Sequence, residues 1–172
     1  MPRYLALELS QTESRVLLAR AGSSGVVIEQ AFCVSHNTAG GTPQPDSLEQ
    51  AVIAALAQRG IARLPVIGVV GRSEVELRLL SLPPAPEDEL PDLVRFQAGR
   101  EFPSLETDAA LDFVPLDDAA DQPRRVLAAV LKPGVADRFA RICGAAKLSL
   151  ARLVFHPAAA TSLLLRRQPD LE

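Results

Sequence analysis

Apolar and polar positions along this 172-residue chain follow two periods, one near two and one near 3.6, and the switches between them mark out its elements. Residues 3–9, 15–21 and 25–34 read as three strands, separated by "SQTES" and by "GSSG" at Gly22 to Gly25, both of turn composition. Connections this short predict an antiparallel meander. A polar loop over residues 35–45 follows, where Gly40, Gly41, Pro43 and Pro45 argue against regular structure. Asp46 then caps a helix, with Glu49 three residues on as in a capping box, and Leu48, Val52 and Leu56 recur on one face until Gly60. The nearly unbroken apolar run "PVIGVVG", residues 65–71, predicts a strand covered on both faces.

A second unit opens with "EVELRLLSL", where Val75, Leu77 and Leu79 alternate with Glu74, Glu76 and Arg78, so that the first set is expected to face inward. Pro83, Pro84 and Pro86 end that strand. The next helix tolerates Pro91 in its first turn and turns Leu90, Leu93, Val94 and Ala98 inward up to Phe102. Residues 110–115 and 125–131 flank an acidic turn and predict a hairpin. Val135, Phe139, Ile142, Cys143 and Ala146 mark one face of a third helix; residues 150–155 form a last strand and residues 156–166 a last helix. From Glu74 onward the order is βαββαβ, which fits a ferredoxin-like sandwich. With the preceding βββαβ unit, it fits an actin-like (ribonuclease H-like) half carrying an inserted α/β module.

Composition narrows the function. A hydrophobic fraction of 48% fills a real core, while aromatics at 4% and an apolar mass of Ala, Leu and Val favour helix-on-sheet packing. Net charge is −3, and the sixteen arginines are scattered rather than clustered, which argues against a nucleic-acid partner. Cys33 and Cys143 have no CxxC or His neighbours and are expected to be buried thiols; no metal site is expected. The first residues form neither a signal peptide nor a membrane span, and the chain reads as cytosolic without direct membrane insertion.

Residues 77–113, "LRLLSLPPAPEDELPDLVRFQAGREFPSLETDAALDF", resemble a segment of the type IV pilus assembly protein PilM and the related secretion protein GspL. There a strand ends in a proline-rich turn, and an acidic helix start leads to a "RFEAE.YIPF" type motif and a "LDY" strand. Arg95, Phe96, Gln97, Ala98, Phe102 and Pro103 hold the corresponding places, with Leu111, Asp112 and Phe113 as the strand. Residues 124–164 follow the layout of the same family. The resemblance implies an α/β fold of the actin-like (FtsA/PilM) type with an inserted SHS2-like subdomain. Residues 1–82 with 150–172 would form the first subdomain, and residues 83–149 the inserted one.

In that family the turn after the first strand is a phosphate-binding hairpin, Asp-x-Gly-x-x, with which Glu8, Leu9, Ser10, Gln11 and Thr12 align. Ser10 stands where glycine would let backbone N–H groups approach, and Glu13 adds a negative charge beside the anion. A plain hairpin turn is the stronger expectation, with Ser10, Thr12 and Ser14 as the remaining hydroxyl donors. The family also implies a groove that holds the tail of an inner-membrane partner, PilN-like or another secretion component. Its walls here would be Val75, Leu77 and Leu79 with Arg95, Phe96 and Phe102, although both phenylalanines equally fit core positions.

Other candidates are weaker. "GSSG" reads as a hairpin rather than an anion cradle, His36 and His156 join no catalytic pattern, and Asp112, Asp117, Asp118 and Asp121 suit a solvated hairpin tip more than a calcium loop. Glu87, Asp88 and Glu89 suit the positive end of a helix dipole. The expectation is a non-catalytic scaffold with no catalytic residue and no cofactor, recruited to the inner membrane. The alternative is the N-terminal half of an ATP- and magnesium-binding ATPase.

Overall fold

Both periodicities resolve into regular elements in a computed structural model, which describes residues 1–10, 12–23, 25–35, 45–103, 105, 109–117 and 122–167. In chain order these are β1 (Arg3–Leu9), β2 (Glu13–Gly22), β3 (Gly25–Ser35), α1 (Pro45–Gln58), β4 (Pro65–Val70), β5 (Val75–Leu82), α2 (Leu90–Glu101), β6 (Leu111–Pro115), β7 (Arg124–Leu131), α3 (Val135–Ala145), β8 (Ser149–Phe155) and α4 (His156–Arg167). The chain divides into two compact units, residues 1–72 with 136–172 and residues 73–135. Among the described residues no helix is long and apolar enough to cross a membrane.

The first unit is a five-stranded mixed sheet in the order β3-β2-β1-β4-β8. The meander β1-β2-β3 is antiparallel, and β4 and β8 add parallel to β1. Gly22 pairs with Gly25, so "GSSG" is a two-residue hairpin connection, and Gly25 leaves it at φ 127°, a conformation that favours glycine. Helix α1 starts at Pro45, where a missing N–H leaves no hydrogen bond unmade; the side chain of the expected cap, Asp46, lies outside the described residues. Val52 and Leu56 of α1 and Phe139, Ile142 and Cys143 of α3 are buried with Leu5, Leu7, Val16, Leu18, Val66 and Val70 of the sheet. Arg141 of α3 donates to Glu49 of α1 at 2.6 Å, and Arg59, just beyond α1, stacks 4.0 Å over the Phe32 ring of β3. Both helices therefore cover one face of the sheet. Cys33 departs from expectation: β3 is an edge strand, and the thiol is exposed. Cys143 is buried as expected, and burial pushes its thiol up.

The second unit is an antiparallel sheet, β5-β7-β6, under helix α2. Strand β5, grouped on sequence grounds with the first subdomain, takes its strand partner in β7 over its whole length; α3, grouped with the inserted one, falls in the first unit. Val75 is buried as expected, but towards the end of β5 the inward phase is the reverse of that expected. Leu80 and Leu82 are buried at 2% and 3%, whereas Leu79 is 58% exposed. The cause is the register. Leu80 lies opposite Val126 and Leu79 opposite Leu127, and the face carrying Val126, Ala128 and Val130 is the one that Leu90, Val94 and Ala98 of α2 cover. A strand with adjacent leucines fits either phase, and the partner strand chooses. Phe102 also joins this core at 2% exposure, closing the C-terminal end of α2.

Gly68, in the central strand β4, leaves no room for a side chain. A Cβ there would lie 2.5 Å from Leu153 Cδ2 and 2.9 Å from the Phe139 ring, so strand and helix close over it. Gly68→Ala is expected to lower stability by about 1–3 kcal/mol through overpacking, read as a fall in the urea midpoint at unchanged m-value.

Candidate functional site

The parallel strands β1, β4 and β8 end together at Leu9, Val70 and Phe155, and the carboxyl ends of such strands are where open α/β sheets place ligands. This edge gathers Glu8, Ser10, Glu13, Arg15 and His156. Ser10 is consumed by the turn itself: its backbone N–H and its hydroxyl donate to the Glu13 carbonyl at 3.1 and 2.7 Å, and its oxygen accepts from the Glu13 N–H at 3.2 Å. The arrangement is a side-chain-closed turn of the kind serine favours, and it uses the one hydroxyl proton that an anion would need. Ser14 is buried at 1% and already has a polar partner. Thr12 is exposed at the bend, and Gln11 lies outside the described residues.

Charge at this edge is balanced internally. The Arg15 guanidinium reaches Glu13 at 2.5 Å and Glu8 at 3.3 Å, and the hydrogen bond to Glu13, with both carboxylates' charges, holds it above its ordinary range. His156 Nδ1 lies 3.4 Å from the other Glu8 oxygen. Glu8 is thus shared between two basic side chains rather than presented to a metal or phosphate. On the sheet face away from α1 and α3, a shallow cavity of about 400 Å³ is lined by Ala6, Glu8, Arg15, Leu17, Cys33 and Val69, among others. Among the described residues that line it, the charged groups are Glu8 and Arg15, and they are partners of each other.

The six residues expected to wall one groove are divided by the second sheet. Arg95 and Phe96 lie on the solvent side of α2, with Phe96 68% exposed, and Phe102 is core. Val75 is buried at the start of β5, while Leu77 and Leu79 belong to the sheet face away from α2. Sequence reasoning missed what completes that outer face. Leu79 lies opposite Leu127, and Leu127 opposite Val114, so one apolar side chain from each strand forms a continuous row. These three are 58%, 38% and 60% exposed, and Leu116 adds to the patch beyond β6. The signal was the run "VLAAVL" in β7, which is apolar on both faces.

The acidic hairpin tip is accounted for where it is described. Asp112 accepts from the Phe113 N–H, and Asp117 accepts from the Arg125 backbone and guanidinium at 2.8–2.9 Å. Asp118 and Asp121 lie outside the described residues, as does His36. Among the described residues no group of three or more His, Cys, Asp or Glu is placed to hold a metal ion. Glu87 does more than meet a helix dipole: it accepts from Arg124, whose side chain is 1% exposed, at 2.6 Å.

No family model matches the chain, and no curated protein matches it in sequence. Solved structures do. A PilM-PilN type IV pilus biogenesis complex aligns with a TM-score of 0.76 at 20% identity, over 95% of this chain and 50% of that one. The cytoplasmic domain of EpsL, an inner membrane component of the type II secretion system of Vibrio cholerae, aligns with a TM-score of 0.62 at 11% identity, over 88% and 56%. The chain thus has the expected fold, a half-domain of the actin-like type with a mixed sheet and a second, antiparallel sheet, and spans about half the length of the structures it matches.

The Arg125 hydrogen bonds bring the Asp117 carboxyl down to about 2. Its folded pKa lies below the ordinary carboxylate range near about 3.9, so the pair's contribution is complete above about pH 4 and lost as pH falls towards the folded value. Arg125→Gln removes the guanidinium's charge and hydrogen bonds but keeps the backbone one, so the Asp117 pKa is expected to rise part of the way towards that range, followed by carboxyl-carbon NMR titration.

Proposed function

We propose that the chain is a non-catalytic scaffold domain of a pilus-assembly or type II secretion machine, working on the cytoplasmic side of the inner membrane, where it binds the tail of a PilN-like partner. The observation that carries this reading is the exposed apolar row Leu79, Leu127 and Val114 across all three strands of the second sheet. A solvated face of an antiparallel sheet ordinarily alternates to polar residues, and an apolar row left open is a surface waiting for a partner. An extended segment that adds to β5, an edge strand, through main-chain hydrogen bonds would turn alternate apolar side chains towards the Leu79 end of this row. The fold shared with a protein solved in complex with PilN supports the choice of partner class.

Absence of catalysis is favoured by the opening turn. Its serine hydroxyl and its carboxylates are already engaged, and a phosphate there would have to displace Glu13 and separate Arg15 from Glu8. Glu8, Ser10 and Thr12 are accordingly read as turn and strand-end residues, with neither ATP nor magnesium as a cofactor.

The test uses a fluorescent peptide with the sequence of a PilN cytoplasmic tail, titrated in anisotropy. Leu79→Asp and Val114→Asp are each expected to weaken binding by about tenfold or more, since each buries a charge in an apolar contact. Equal binding by the variants would move the tail to another surface. Titration calorimetry with Mg-ATP is expected to give no saturable heat; saturable binding lost in Glu8→Ala would replace the scaffold reading with that of half a nucleotide clamp.

A further inference from the structure

Helix α2 buries Leu90, Val94 and Ala98, and on its opposite side Asp92, Phe96, Gly99 and Arg100 are all exposed. Phe96 is 68% exposed, the largest value for an aromatic side chain among the described residues. Asp92, Phe96 and Arg100 stand four residues apart, hence about 6 Å apart along one side of the helix. Among the described residues neither Asp92 nor Arg100 makes an ion pair or hydrogen bond. Gly99, beside Phe96, is the poorest helix former apart from proline, yet nothing lies within 4 Å of the place its Cβ would take. The fold of the unit gives no reason for a bare backbone there.

We propose that this side of α2 is a self-association surface on which two copies of the chain pack antiparallel about a two-fold axis at Phe96. The occupant follows from charge order. The acid stands one turn before the phenylalanine and the base one turn after, so an antiparallel copy sets each Asp92 against the Arg100 of the other, with the two phenylalanines in contact between them. Gly99, nearly one turn from the axis, leaves room there for the Phe96 ring of the other copy. A two-fold contact must be complementary to itself, and this strip is. An acidic partner or an anionic membrane would meet Arg95 and Arg100 favourably but Asp92 and Glu101 unfavourably.

One helix pair is smaller than a standard interface, so the dimer is weak, with dissociation expected on the order of 100 µM. Sedimentation velocity on the whole chain over a concentration series is expected to show a monomer–dimer equilibrium. Phe96→Asp, Asp92→Arg and Arg100→Asp are each expected to raise the dissociation constant about tenfold or more, with circular dichroism unchanged because all three positions are exposed. The decisive measurement mixes the two charge variants. Each alone places like charges opposite each other, whereas Asp92→Arg with Arg100→Asp restores both ion pairs, so the mixture is expected to dimerise when neither component does. A wild-type chain monomeric throughout, variants that dimerise as well as wild type, or a mixture that stays monomeric would each overturn the proposal. Phe96-dependent sedimentation of a monomeric chain with phosphatidylglycerol vesicles would overturn it in favour of a membrane contact.

Discussion

Close approach at Gly68 is the constraint on which the first unit depends. In the register of β4 and β8, Gly68 lies beside Leu153, and the Phe139 ring of α3 settles on the same point, so a strand and a helix far apart in sequence meet where a side chain is missing. Helix α3 can then lie flat on the face where α1 already rests, and the Arg141 to Glu49 bridge ties the two at their exposed sides. Burial of Phe139, Leu5, Leu7, Leu56 and Val66 follows from that layering. The same register brings the ends of β1, β4 and β8 level and assembles the polar edge around Glu8.

At that edge, geometry alone did not decide between a ligand site and a turn. The turn after β1 stands at the carboxyl ends of parallel strands, where open α/β sheets place ligands, but its own polar groups are already engaged. A serine in place of glycine adds a hydroxyl that folds back on the Glu13 backbone, and the carboxylates of Glu8 and Glu13 take Arg15 between them. Polar groups satisfied this way have little to gain from an anion.

The second unit shows the opposite imbalance, with apolar groups left unsatisfied. Its sheet is apolar on both faces but has one helix to cover them, so α2 takes the face of Val126 and Ala128 and leaves Leu79, Leu127 and Val114 in water. Helix α2 in turn keeps Phe96 on its outer side. Each surplus of exposed apolar surface is a reason to look for a binding partner, and they lie on opposite sides of the same sheet.

Much of this was legible in the residues. Strand and helix periods located the eight strands and four helices of the described residues, and the short connections "SQTES" and "GSSG" dictated the meander, because two-residue and four-residue links join only antiparallel neighbours. The family resemblance pointed to Glu8, Ser10, Gln11 and Thr12 as the turn where a phosphate would sit. What sequence could not choose was the phase of β5, since "RLLSL" offers a leucine to either face and only pairing with β7 orders them. Nor could it separate Phe96 of α2 from Phe102 just past its end, one in water and one in the core. Cys33 misled for the same reason: an apolar neighbourhood in sequence says nothing about whether a strand is central or at the edge. Periodicity is a local property and the chain carries it openly; which face is covered is a property of what packs against it, and that was decided by the tertiary structure.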